Sequence, residues 1–454
     1  MSHSIYADAA APDTPNAPDT PDGPSGTGLT DTFARFAEQT RACLPTGLDE
    51  VTTSDIADMV ALTARLMAIR STASRPAEVT RCADVIAAWL ADNGIPCTRM
   101  EHEGVPSLLA GNPSHAAPLA LLVHFDVVDG ADDMFTPRLD AATGVLHGRG
   151  AIDDKYAVAL ALVLCRRCLR ELAARGLGPQ ALPLVLVITG DEETGGRNGA
   201  FRVLPHIRAD FCVALDGGAP GSVIIKEKGV IDLVLTARGK SAHGARPWLG
   251  ENAVDALVRD YEALKPLFPG LYPGLAGLPD MADGADLADM PNMPDRAKTG
   301  TPTHPALPRQ ADDHWHRTLN LGLLHAGTAV NQVPGEAVAH LDVRYTENDD
   351  PHQLVADMRA AVRGDLSVSR MEPLFVTGDT PWLGRLLRHA PGTATGCAHG
   401  ASDARFLTDL SMAGVVWGAE GETSQHTDRE HLLVASLVPV YRALLALARE
   451  AANG

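Results

Sequence analysis

Long apolar runs are missing from this 454-residue chain. None reaches the ~18–20 residues that a membrane helix needs, so no membrane span is expected. The first residues also lack a basic region followed by an apolar one, which predicts no secretory signal. Basic charge is scarce: 38 Lys and Arg stand against 57 Asp and Glu, a net charge of -19. A nucleic-acid surface needs a basic stripe to replace counterions, so no nucleic-acid partner is expected. The balance reads instead as a soluble, self-repelling surface. The seven cysteines are Cys43, Cys82, Cys97, Cys165, Cys168, Cys212 and Cys397. They are odd in number and scattered, which argues against a disulfide framework and fits a reducing, cytoplasmic setting. Cys165 and Cys168 form a CxxC with no second one to complete a zinc ribbon, and they read as thiols on a helix face. Neither GxxxxGKS/T nor a strand-linked GxGxxG is present, which removes the nucleotide-enzyme reading.

What is present suggests two or three domains, at ~100–200 residues each. Residues 1–28, rich in Ala, Pro, Asp, Thr and Gly, read as a disordered tail. Apolar residues recur at helical spacing over 55–67 and 77–93, and Gly94 and Pro96 end the second helix. Short apolar runs at 119–124, 182–189 and 209–215 read as buried strands, separated by a long helix over 154–175 and a short one over 199–204. Such alternation predicts an α/β fold, with a mixed, mostly parallel sheet covered by helices on both faces. From about Gly229 the pattern changes. Strand 230–237, helix 252–264, strands 319–325 and 337–345, helix 352–363 and strand 366–370 make a βαββαβ order. It predicts an inserted α+β unit at 229–377, carrying an irregular insertion at 266–314. The α/β pattern returns after Thr380, with a C-terminal helix over 432–451. Residues 29–228 and 378–454 would then form one domain.

Three segments place acids or His at the ends of predicted strands or in turns leading to a helix, where open α/β sheets bind ligands. His124 ends a buried strand, and Asp126, two residues on, can orient its imidazole. Asp153 and Asp154 open the long helix, where the macrodipole favours a carboxylate. Asp191, Glu192 and Glu193 leave another strand. Each alone has a plain reading: a satisfied buried His, a helix N-terminal pair, a surface turn. Adding Asp216 and His426 gives two His and five leading acids, Asp126, Asp153, Glu192, Glu193 and Asp216. Five clustered carboxylates stay ionised only beside cations, which divalent metals supply. Mixed His and carboxylate ligands suit zinc, with cobalt or manganese as near neighbours.

These segments resemble the di-zinc metallopeptidase and amidohydrolase family of succinyl-diaminopimelate desuccinylase, acetylornithine deacetylase, aminoacylase, glutamate carboxypeptidase and related dipeptidases. The matching residues are His124-x-Asp126, Gly148-Arg-Gly-Ala-x-Asp153, Asp191-Glu-Glu-x-Gly-Gly196, Asp216 and His426-x-x-x-Glu430. All five motifs occur in the family's order, over about residue 56 to the C-terminus. The resemblance implies that two divalent metals, Zn2+ above all, are held per chain. Asp153 would bridge them, His124 and Asp216 would complete one site, and Glu193 and His426 the other. Glu192 would be the general base and Asp126 the partner of His124. The inserted unit would be a lid through which two copies dimerise. Its His243 would stabilise the oxyanion, often in the partner's site, while Asn331 and Arg344 would hold a substrate carboxylate. Gly400 lies in a segment that resembles the family's substrate loop. The implied activity is hydrolysis of an amide or peptide bond next to a free carboxylate, in an N-acyl amino acid or a short peptide. A catalytically silent binding or scaffold protein is the alternative. Asp216 stands where the family uses either Asp or Glu. Tyr156 replaces a small residue and is expected to narrow the mouth. His431 competes with His426, but only His426 has Glu four residues on.

Overall fold

A computed structural model of the chain describes residues 26–268 and 315–453. The expected tail at 1–25 and the bulk of the irregular insertion, 269–314, lie outside the described residues. Helix Gly26–Cys43 starts inside the stretch read as tail.

The main sheet is mixed. Its central strands, Leu184–Thr189, Ala116–His124, Arg208–Ala214 and Gly414–Val416, run parallel in that order. Antiparallel partners join on both sides, among them the hairpin Cys97–His102 and Val105–Gly111. The apolar run at 119–123 is continuous because both faces are covered. Leu119, Leu121 and Val123 pack under helices Glu50–Met67, Pro76–Asp92, Lys155–Ala174 and Leu437–Ala451. Ala120 and Leu122 point to the other side, towards Ala200, Val203, Phe406 and Leu407. Cys165 and Cys168 are buried along Lys155–Ala174.

One buried ionic knot ties three of these helices together. Asp55, 1% exposed, accepts from Arg167 at 2.7 and 2.9 Å, from Arg166 at 3.4 Å, and from the Tyr441 hydroxyl. Removing one member leaves buried charge without its partner, so Asp55→Ala is expected to cost ~3–5 kcal/mol. Denaturant unfolding would measure this, and a loss under ~1 kcal/mol would refute it.

The second sheet is wholly antiparallel, in the order Thr318–Ala326, Glu336–Tyr345, Gly229–Arg238, Asp365–Glu372. Ile231, Leu233 and Leu235 share its own core with Leu257 and Leu264 of helix Ala253–Leu264 and with Leu354 and Met358 of helix Pro351–Ala361. Asn252 and Asp350 cap the two helices through their side chains. At the entry to this unit Gly229 lies under the Tyr345 ring, which would be 2.1 Å from any Cβ there. A small pair, Ala242–His243 with Gln332–Val333, was not expected from the sequence. The C-terminal stretch also begins differently: strand His431–Leu433 precedes helix Leu437–Ala451 and pairs with Val145–His147, which pairs with Arg138–Asp140.

Candidate metal centre

Three adjacent parallel strands deliver acids and His to one crevice at their C-terminal ends. His124 is the last residue of Ala116–His124. Glu192 and Glu193 form the turn after Leu184–Thr189, and Asp216 follows Arg208–Ala214. Asp153 lies just before helix Lys155–Ala174, across a cis bond to Asp154. His426 comes from the loop after Gly414–Val416.

The two carboxylate oxygens of Asp153 face different imidazoles: Oδ1 is 3.2 Å from His124 Nε2, and Oδ2 is 3.0 Å from His426 Nε2. Asp216 stands 3.8 Å from His124 Nε2, and Glu193 3.1 Å from His426 Nε2. Two triads result, His124–Asp153–Asp216 and Asp153–Glu193–His426, with the donor atoms of each within 4.8 Å of one another. Bonds of ~2.0–2.2 Å at tetrahedral angles set donors ~3.3–3.6 Å apart, close to the observed spacings. His124 Nε2 and Glu193 Oε1 are buried without a hydrogen-bond partner, as ligand atoms aimed at a metal would be. The donor set therefore fits two divalent ions.

Electrostatics agree. Burial, and then Asp153 beside it, push the Asp216 carboxyl well above the carboxylate range. Asp153 and Glu193 draw His426 up to about 10, so the protein's own charges call for a cation there. Burial would also raise Asp153, but the imidazoles of His124 and His426 overcome it and hold that carboxyl low.

Asp126 does more than orient an imidazole. The His124 Nδ1–H donates to the Asp126 carbonyl at 3.1 Å, and the Asp126 carboxylate lies 3.4 Å from the same nitrogen. That carboxylate also accepts the backbone N–H of Glu192 at 3.2 Å and of Glu193 at 3.0 Å. It thereby fixes the acid turn relative to His124. Of the three consecutive acids, Asp191 serves the turn itself, accepting from Asn198 N at 2.8 Å. Gly196 sits at φ +64 with Asp403 Oδ1 2.0 Å from any Cβ, so only glycine fits there.

Glu192 stands beside the triads. Burial raises its carboxyl well above the ordinary range, and the charges of Asp216 and Asp403 add to that. Arg405, buried, brings its guanidinium to 3.7 Å from Glu192 and 3.4 Å from Asp403 and draws the other way. No local sequence signal marks Arg405 for this role. Its place beside Glu192 depends on a contact across more than 200 residues.

Residues 120–450, well over half of the chain, match the sequence profile of Peptidase family M20/M25/M40. The chain belongs to this family. It is 28% identical over 428 residues to the succinyl-diaminopimelate desuccinylase of Xanthomonas euvesicatoria pv. vesicatoria (strain 85-10), covering 86% of this chain and 98% of that one. Its fold is shared with the Saccharomyces cerevisiae di-peptidase Dug1p, at TM-score 0.64 and 13% identity, covering 92% of this chain and 99% of that one. It is shared too with the Bacillus subtilis YXEP protein, a dinuclear metal binding peptidase, at TM-score 0.50 and 14% identity, covering 86% and 98%.

The other residues to which the resemblance gave a role belong to neither triad. His243 is exposed, its Nδ1 accepts from Ala245 N, and among the described residues no hydrogen bond or ion pair joins it to the cluster. Asn331 is exposed beside it, its carbonyl accepting from Gly244 N at 2.6 Å. Arg344 forks onto Asp342 of its own strand at 2.8 and 2.9 Å. Gly400 is exposed, with open space where a Cβ would stand. Tyr156 corrects an expectation. It is fully buried, donating to Leu215 O at 2.6 Å and accepting from Ala419 N at 3.0 Å, so it packs the core rather than narrowing the mouth. His431 lies in a strand, with its Nδ1 on Arg429 O, and belongs to neither triad.

Proposed function

We propose that this M20 protein hydrolyses an amide or peptide bond next to a free carboxylate, in an N-acyl amino acid or a short peptide. The observation that carries the reading is the pair of triads sharing Asp153, with Glu192 beside them. His124, Asp153 and Asp216 would hold one divalent ion, and Asp153, Glu193 and His426 the other, with Zn2+ first and Co2+ or Mn2+ as alternatives. When bound, such ions polarise a carbonyl and acidify a water. Glu192 accepts the proton of the water that attacks the carbonyl carbon and delivers it to the nitrogen as the C–N bond breaks. Asp126 keeps Glu192 in register by holding its backbone N–H. The desuccinylase relative, matched over 98% of its length, makes N-succinyl amino acids the first substrates to try.

The test compares metal content and hydrolysis before and after chelation, against N-succinyl and N-acetyl amino acids, dipeptides and acyl-glutamates. Bound metal and chelator-sensitive cleavage of one class are expected. No metal and no cleavage would sink the reading in favour of a silent binding protein.

Dimerisation through the inserted unit belongs to the same reading. Strand Thr318–Ala326 is the edge of its sheet, and Leu323 and Leu324 on it are exposed. An exposed apolar edge favours pairing with another chain. That His243 and Asn331 are exposed and belong to neither triad of their own chain supports a role for them in a second copy. His243→Ala and Glu192→Ala should each be inactive alone. Co-refolded in equal amounts, they should recover about one quarter of wild-type activity, because half of the dimers then carry one intact site. No recovery would mean that His243 serves its own chain or none.

A further inference from the structure

Glu430 stands four residues after His426 and belongs to neither triad. Its side chain is completely buried, next to Arg149, whose side chain is 3% exposed. The two form an ion pair. The other Glu430 oxygen accepts the backbone N–H of Gly150 at 2.8 Å, of Asp153 at 3.3 Å and of Ile152 at 3.4 Å. The Glu430 carbonyl accepts a fourth, from Gly148 N at 3.0 Å. One residue thus satisfies four amides of the 148–153 turn, a segment that twists through left-handed conformations at Gly148 and Gly150 and makes no regular ladder of its own.

That turn carries Asp153. The chain leading to Glu430 carries His426, which sits at φ +59, a conformation that costs a non-glycine residue ~1–3 kcal/mol and persists only where its surroundings hold it. The contact spans 281 residues of sequence. It is the short tether between the loops that bear these two ligands.

We propose that Glu430, neutralised by Arg149, is a positioning residue that fixes the Asp153 turn against the His426 loop and so sets the spacing of the Asp153–Glu193–His426 site. The inference rests on the metal-centre reading above. The other triad shares Asp153 but takes its two remaining donors from elsewhere, His124 ending one strand of the main sheet and Asp216 following the adjacent one, so it depends on the tether for one donor rather than two.

The test is calorimetric titration of the apo-protein with Zn2+, alongside the thermal melt of each apo-variant. Wild type should bind two ions in two resolvable steps, and His426→Ala should abolish one. In Glu430→Gln that same step should weaken ~10–100-fold, the loss typical of removing a group that orients a ligand, while the other stays within ~3-fold. Glu430→Asp, which keeps the charge, should recover part of the affinity. In Glu430→Gln, kcat should fall with KM little changed. Equal weakening of both steps, or a lower melting temperature with both affinities intact, would make Glu430 a general fold element and overturn the proposal. Wild-type protein that binds no Zn2+ would instead overturn the metal-centre reading, and this proposal with it.

Discussion

Glu192→Ala should lower hydrolysis by ~10²–10⁴-fold, the range that a general base contributes, and leave both metals bound. The separation of the two effects follows from the turn. Glu192 and Glu193 are consecutive, and both backbone N–H groups are fixed by Asp126. Only the Glu193 carboxylate reaches His426, while the Glu192 carboxylate faces Arg405. Truncating Glu192 therefore removes no donor atom from either triad. Metal content per chain and kcat, measured on the same preparation, decide the matter. Full activity would remove Glu192 from the mechanism, and loss of metal would assign it a ligand's role instead. Glu192→Asp keeps the carboxylate but withdraws it by one methylene, and should fall between wild type and Glu192→Ala.

Asp153→Ala should have the larger effect on metal. Its two oxygens face His124 and His426 separately, at 3.2 and 3.0 Å, so one substitution removes a donor from both triads. Losing a group one shell away from a metal costs ~10–100-fold in affinity, and losing a shared ligand should exceed that. Hydrolysis should drop to background. The shift in melting temperature that chelation causes in wild type should vanish, because the variant has no bound metal left to lose. Two retained metals would refute the bridging assignment. Loss of one alone would show that Asp153 serves a single site.

How much of this was legible beforehand differs by element. The second sheet and its two helices read clearly because the strands alternate and the helices are amphipathic: Ile231, Leu233 and Leu235 face one core at period two. The hairpin Cys97–Gly111 is not legible in the sequence, because its first strand is an edge with mostly exposed polar residues and so carries no burial pattern. The helix read over 432–451 starts late because Leu432 and Val434 are buried, one in a strand and one in a turn, before the helical period begins. No helix among the described residues is long and apolar enough to cross a membrane, as the short apolar runs indicated.

Local sequence is enough to say which residue types end which strands: His124 and Asp216 each follow a buried apolar run directly, the Glu192–Glu193 pair leaves another through the short Gly190-Asp191 link, and that pattern places them at one rim of a sheet. Which of them meet depends on the folded chain. Asp153 lies between two imidazoles 302 positions apart in sequence, Asp126 spans from His124 to the acid turn, and Arg405 and Glu430 reach the site from the far end of the chain. Burial made those meetings consequential. Carboxylates removed from water must find amides, guanidinium groups or cations, and which of these they find depends on strand order rather than on sequence neighbours.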